Sequence, residues 1–163
     1  MSTAATIASS ARFMIKITDR LVEDIPAEQF ADRHGTTINH PAFVLGHLGY
    51  YVGVAMEFLG GDAGFDPNEA TLYEHGAECL DDASRYPAKD ACIASFKARM
   101  TAAADFVASC DDAALEASSA GTFFEDRMDT MGEVTNFILI GHVPLHLGQI
   151  SAWRRVAGMG PAT

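Results

Sequence analysis

The chain has 163 residues, with 11 basic and 22 acidic side chains and a formal net charge of −11. A chain of that length reads as one domain, 1–163, whose core is large enough to need neither a disulfide nor a structural metal for stability. The charge excludes nucleic acid and anionic membrane surfaces as expected partners, because the only adjacent basic pair is Arg154-Arg155.

Helical periodicity appears in four segments and sustained two-residue alternation in none. The expected fold class is therefore all-α, a four-helix bundle with a long loop between helices two and three. The first segment runs from about Thr3 to Asp24, with Ile7, Ala11, Met14, Leu21 and Ile25 on one face and Pro26 as its stop. Arg12, Lys16, Asp19 and Arg20 interrupt any apolar leader there, so no export signal is expected. The second segment runs from about His40 to Leu59. Asn39 is its predicted N-cap, Pro41 sits in the first turn where a missing N–H is tolerated, and Gly60-Gly61 ends it.

Residues 61–86 are rich in Gly, Asp and Pro. A loop this long is usually functional or contains a short helix. The third helix starts near Pro87 and carries the stripe Cys92, Phe96, Met100, Ala103, Val107 and Cys110. Cys79, Cys92 and Cys110 are odd in number and lack CxxC spacing, which predicts free thiols in a cytoplasmic protein. A second loop, Asp111 to Asp129, leads to a fourth helix. Thr130 and Glu133 form a capping-box pattern at its start, Arg154 and Arg155 suit the dipole of its last turn, and Gly158 and Pro161 follow it. No apolar run approaches the roughly 20 residues that span a bilayer.

The fourth helix is apolar almost all round, from Val134 through Phe137, Ile138, Leu139, Ile140, Val143, Leu145 and Leu147 to Ile150. Such a helix is either central in the core or has one face in a subunit interface. The excess apolar surface raises the expectation of a homodimer that buries part of the fourth or first helix.

Of the six histidines, His142 and His146 stand four apart in the fourth helix. That spacing sets them about 40° apart on the wheel and one turn up, on one face, where both can bind one ion. The residues between them are Val143, Pro144 and Leu145, so no Glu stands beside the pair as a base. His47 lies mid-helix among Leu45, Gly46 and Leu48, where both its nitrogens need partners. Together the three would give neutral ligands and leave positions for solvent, the pattern of a catalytic site. Hydrogen-bonded core imidazoles are the competing reading. His34, His40 and His75 read as surface histidines near loops or helix ends. Pro144 removes a helical hydrogen bond and meets the carbonyl of Ile140, so a kink there would either aim His146 or spoil the pair. Gln149 shares the face of His146, either to hydrogen-bond a ligand-bound water or a ring, or to bridge helices. Tyr50 and Tyr51 flank the face of His47, as pocket walls or as plain packing.

The runs NHPAFVLGHLGYY at 39–51 and GHVPLHLGQISAWRR at 141–155 resemble the two signature helices of the DinB-like superfamily, and residues 72–100 resemble its long loop and third helix. The resemblance spans about residues 5–161. It implies a four-helix bundle, commonly dimeric, with one divalent metal ion on three histidines, here His47, His142 and His146. It further implies a thiol S-transferase or metal-dependent hydrolase acting on a small molecule, with a low-molecular-weight thiol as a partner in the first case. A non-catalytic metal-dependent binding or stress-response module is the alternative. Zinc or nickel is the expected ion, with iron or manganese also compatible with imidazole ligands. Free imidazole titrates near 6.5, so metal affinity is expected to fall through that region.

Overall fold

The computed structural model of the protein describes residues 2–66 and 68–162. Among these residues all regular structure is helical, and the isolated antiparallel bridge Ser118–Thr130 is the one strand-like pairing. The all-α expectation holds.

Helix α1 spans Thr3–Val22, and the Ser2 hydroxyl caps it by accepting from the Ala5 amide at 3.2 Å. Ala4, Ile7, Ala8, Ala11 and Val22 face the core. The small residues let the neighbouring helix come close. Met14 and Leu21, predicted for the same stripe, lie half-buried on its shoulder.

Helix α2 spans Pro41–Phe58, and its cap is His40 rather than Asn39. His40 Nδ1 accepts from the Phe43 amide and its Nε2 donates to the Leu80 carbonyl, both at 3.1 Å. With both nitrogens satisfied the ring tolerates complete burial, which corrects the expectation of a surface histidine. Asn39 spends its side chain elsewhere, donating to Gln149. At the far end Gly60 takes a φ of +85°, and the Gly61 amide reaches back to the Met56 carbonyl at 2.9 Å, closing the helix.

The long connection that follows carries a short helix, α3 (Glu69–Tyr73), and a 3-10 turn at Ala83–Arg85. A two-pronged ion pair from Arg99 to Glu69, at 2.7 and 3.1 Å, ties α3 to the bundle. Helix α4 spans Lys89–Ser109 and buries Cys92, Phe96, Met100, Ala103 and Val107, as the periodicity requires. Its start at Lys89 falls just beyond Pro87, with Ala88 as the cap residue. All three cysteines are free thiols. The second loop contains a further short helix, α5 (Asp112–Glu116).

The fourth long helix is continuous but changes pitch. It consists of α6 (Met131–Asn136), a π-helical turn (Phe137–His142) and α7 (Val143–Val156). The Thr130–Glu133 capping box is present in both directions. The bundle closes as a ring: α1 packs on α4, α4 on α2, α2 on α7 and α7 on α1. Val134, Ile138, Leu139, Val143, Leu147, Ile150 and Trp153 enter the core, whereas Leu145 on the opposite side is 66% exposed. None of the described helices is long and apolar enough to cross a membrane.

Arg154 is 1% exposed despite its place in the last turn. Its guanidinium donates to the Leu21 carbonyl at 3.0 Å and forms a two-pronged pair with the Asp24 carboxylate. This latch fixes the end of α1 to the end of α7. The hydrogen bond from Arg154 holds the Asp24 carboxyl below its ordinary range. Its stabilisation is therefore full above pH 3.8 and is lost as pH falls through the lowered value. Asp24→Ala should cost about 1–2 kcal/mol in urea unfolding at pH 7, a charged hydrogen bond discounted for the exposure of the carboxylate. A midpoint unchanged from wild type would mean that the latch contributes nothing.

Candidate metal centre

The site lies at the seam between α2 and the fourth helix. α2 places His47 mid-helix, buried, with Phe43 one turn before it and Tyr51 one turn after. His142 closes the π-turn and His146 follows in the first turns of α7. The π-turn accommodates Pro144. The Val143 amide bonds the Ile138 carbonyl, five residues back, and Pro144 comes next with no N–H to place. The wider turn relieves the clash between the proline ring and the Ile140 carbonyl.

One nitrogen from each of His47, His142 and His146 lies within 4.8 Å of the other two. The Nε2 atoms of His47 and His142 are 3.3 Å apart. Two nitrogens bound at about 2.0–2.1 Å to a tetrahedral ion lie about 3.3–3.4 Å apart, so this spacing fits a shared cation. His47 Nδ1 donates to the Tyr73 carbonyl at 2.7 Å, which turns the unprotonated Nε2 toward His142. The Nδ1 atoms of His142 and His146 are buried without a hydrogen-bond partner. His47 is buried and the other two are half-buried, so solvent reaches part of the group.

Burial pushes His47 down to about 4, with repulsion from His146 second, and pushes His142 down to about 3, with repulsion from His146 and His47 following. His146 is lowered by burial too, with the Gln149 side chain acting in the opposite sense. All three rings are therefore neutral at pH 7.

Tyr51 packs against His47 and His142 with ring centroids at 4.9 and 5.2 Å, and its hydroxyl accepts from the His75 amide at 3.0 Å. Tyr50 stands behind it, against Tyr51 and Phe65, and stacks on none of the three histidines. Gln149 accepts from Asn39 at 3.1 Å and so bridges α7 to the segment before α2. The exposed Phe123, from the loop before α6, adds its ring to the edge of Tyr51. Sequence reasoning missed Tyr73, which contributes a backbone oxygen and so leaves no side-chain signal, and it missed Phe123. His34 and His75 stay outside the group, as does the capping His40.

The DinB superfamily profile matches residues 12–150. The chain belongs to the DinB superfamily. No curated protein and no solved structure matches it. The two runs that resemble the DinB-like signature helices are the two that bring the histidines together.

The lowered histidines make a stability prediction for the ion-free protein. Below pH 6.5 the unfolded chain takes up protons that the folded triad refuses, so stability declines from there toward the folded values of about 4 and 3. Urea midpoints of chelator-treated protein should fall between pH 7.5 and 5, and His47→Ala with His142→Ala should flatten that slope. Equal slopes in wild type and double variant would contradict the burial of neutral rings.

Proposed function

We propose that His47, His142 and His146 bind one divalent metal ion, and that this DinB-like protein is a metal-dependent enzyme of the thiol S-transferase or hydrolase type acting on a small molecule. The observation that carries the reading is the convergence of three neutral imidazole nitrogens in a group half-open to solvent. Three protein ligands with room for solvent match catalytic rather than structural metal sites. Family membership supports the metal, and the resemblance supports the reaction class. Zinc or nickel is the favoured ion, with iron or manganese as alternatives.

When bound, the ion supplies Lewis acidity, which lowers the pKa of a water or thiol near it and provides a nucleophile at neutral pH. The chain does the rest. Burial holds the ligands unprotonated. The Tyr73 carbonyl orients His47. Tyr51 and Phe123 give the open side an aromatic wall that favours the apolar part of a small substrate over bulk water.

A second reading has its own support: among the described residues no carboxylate or cysteine joins the three histidines in the ligand group. That favours a metal-dependent binding or stress-response module without turnover. Assay of the metal-loaded protein with electrophiles and a panel of low-molecular-weight thiols separates the two.

The metal itself is tested by elemental analysis of protein purified without a metal-affinity tag, followed by titration. His47→Ala should weaken binding by orders of magnitude, because two ligands on one helix remain. His75→Ala should change it little. Far-UV circular dichroism should stay helical after chelation, since the core does not depend on the ion. Loss of the metal in His75→Ala with retention in His47→Ala would move the site to the loop.

We also propose a homodimer that uses the exposed apolar side of α7, where Leu145 lies. Sedimentation at micromolar concentration should give a dimer that Leu145→Gln weakens. A wild-type monomer would refute it.

A further inference from the structure

The long connection between α2 and α4 reaches back to the triad at two adjacent points. The Tyr73 carbonyl accepts from His47 Nδ1 at 2.7 Å, and the His75 amide donates to the Tyr51 hydroxyl at 3.0 Å. His47 and Tyr51 lie one turn apart on α2, so the short segment 73–75 grips one face of that helix at both levels. Glu74 between them is extended, with ψ of 171°, which sets the neighbouring carbonyl and amide to face the same helix. The segment is held in turn by the Tyr73 ring. That ring is buried, with Phe43 and Tyr86 centroids at 6.3 and 6.4 Å. It lies over Gly46, the residue before His47. A Cβ built on Gly46 would stand 2.2 Å from two carbons of the ring.

We infer that Tyr73 is a positioning residue for the triad, seated by a notch at Gly46, and that its carbonyl sets the tautomer and aim of His47. A histidine with both nitrogens free to exchange a proton presents its Nε2 lone pair only part of the time. A carbonyl fixed on Nδ1 removes the choice. Partners of this kind, one bond beyond the ligand, commonly contribute about 10–100-fold in metal affinity. The notch gives α2 a reason to carry glycine next to a ligand, in a helix interior where glycine is otherwise destabilising by about 0.5–1 kcal/mol relative to alanine. The affinity part of the inference rests on the triad being the metal site, as proposed above; the tautomer part does not.

The experiment combines two readouts at pH 8. Nitrogen chemical shifts of the His47 ring are measured in ion-free protein, and Zn²⁺ affinity is measured by chelator competition. Wild type should show His47 as the Nδ1–H tautomer. Gly46→Ala should push the Tyr73 ring aside, mix the two tautomers and weaken Zn²⁺ by about 10–100-fold while far-UV circular dichroism stays helical. With the ring removed, the notch has nothing to seat, so Tyr73→Ala and Gly46→Ala/Tyr73→Ala should bind Zn²⁺ equally. That non-additivity separates positioning from a general loss of packing. An Nε2–H tautomer in wild type would overturn the inference. So would wild-type affinity in a folded Gly46→Ala, or an equal loss from Gly46→Ala in both backgrounds. If Gly46→Ala fails to fold, the wild-type tautomer still decides. If wild type binds no Zn²⁺ or Ni²⁺, the metal reading falls, and the tautomer measurement still tests the grip on His47.

Discussion

Three imidazoles with nitrogens inside 4.8 Å cannot share positive charge, and the local structure follows from keeping them neutral. Burial opposes protonation of each ring, and repulsion from His146 adds to it at His47 and His142. A neutral imidazole still carries one N–H and one lone pair, so placing the proton becomes the structural problem. His40 and His47 solve it differently. His40 turns its lone pair to a helix amide and its proton to a carbonyl, and so is satisfied as a cap. His47 turns its proton outward to Tyr73 and its lone pair inward. The same side chain thus becomes a structural element at the start of α2 and a candidate ligand two turns later.

The fourth helix had to solve a second problem. The spacing of His142 and His146 is helical, yet Pro144 stands between them and cannot donate. In a regular α-helix its ring would press on the Ile140 carbonyl. The π-turn widens the helix immediately before the proline, so the register shift and the missing donor fall at the same place. The histidines sit on the two sides of that shift, and both still face α2.

What the sequence could show was whatever repeats. The apolar period marked all four long helices, and the capping box and terminal glycines marked several of their ends. The histidine spacing marked the pair on the fourth helix, the apolar surroundings of His47 marked a third candidate, and the resemblance joined the three. What lay hidden depends on single contacts across the chain. Asn39 looks like a cap, but His40 takes that role because Leu80, forty residues on, offers its second nitrogen a partner. Arg154 looks like a solvated dipole partner, but the end of α1 turns it into a buried latch. The stretch 61–86 looks irregular, and its short helix α3 is too brief for periodicity to reveal. Tyr73 acts through its backbone, for which no residue type is diagnostic. Gly46 was the one available sign, since a glycine inside a helix often records a close approach.

Stability and chemistry are divided between different parts of this bundle. The core on either side of α4 holds the four long helices together through Phe96, Met100, Leu45 and Leu48. The triad sits at the α2–α7 seam, where half-buried rings replace aliphatic packing. Neutral ligands cancel none of a cation's charge, so compensation has to come from farther away. Beside the triad, Glu57 and Glu74 stand close enough to Tyr50 to raise its hydroxyl, after burial, whereas Glu69 is already paired with Arg99. A net charge of −11 favours cations throughout the surroundings. A charge of that sign disfavours the approach of anions and suits a site able to hold a cation.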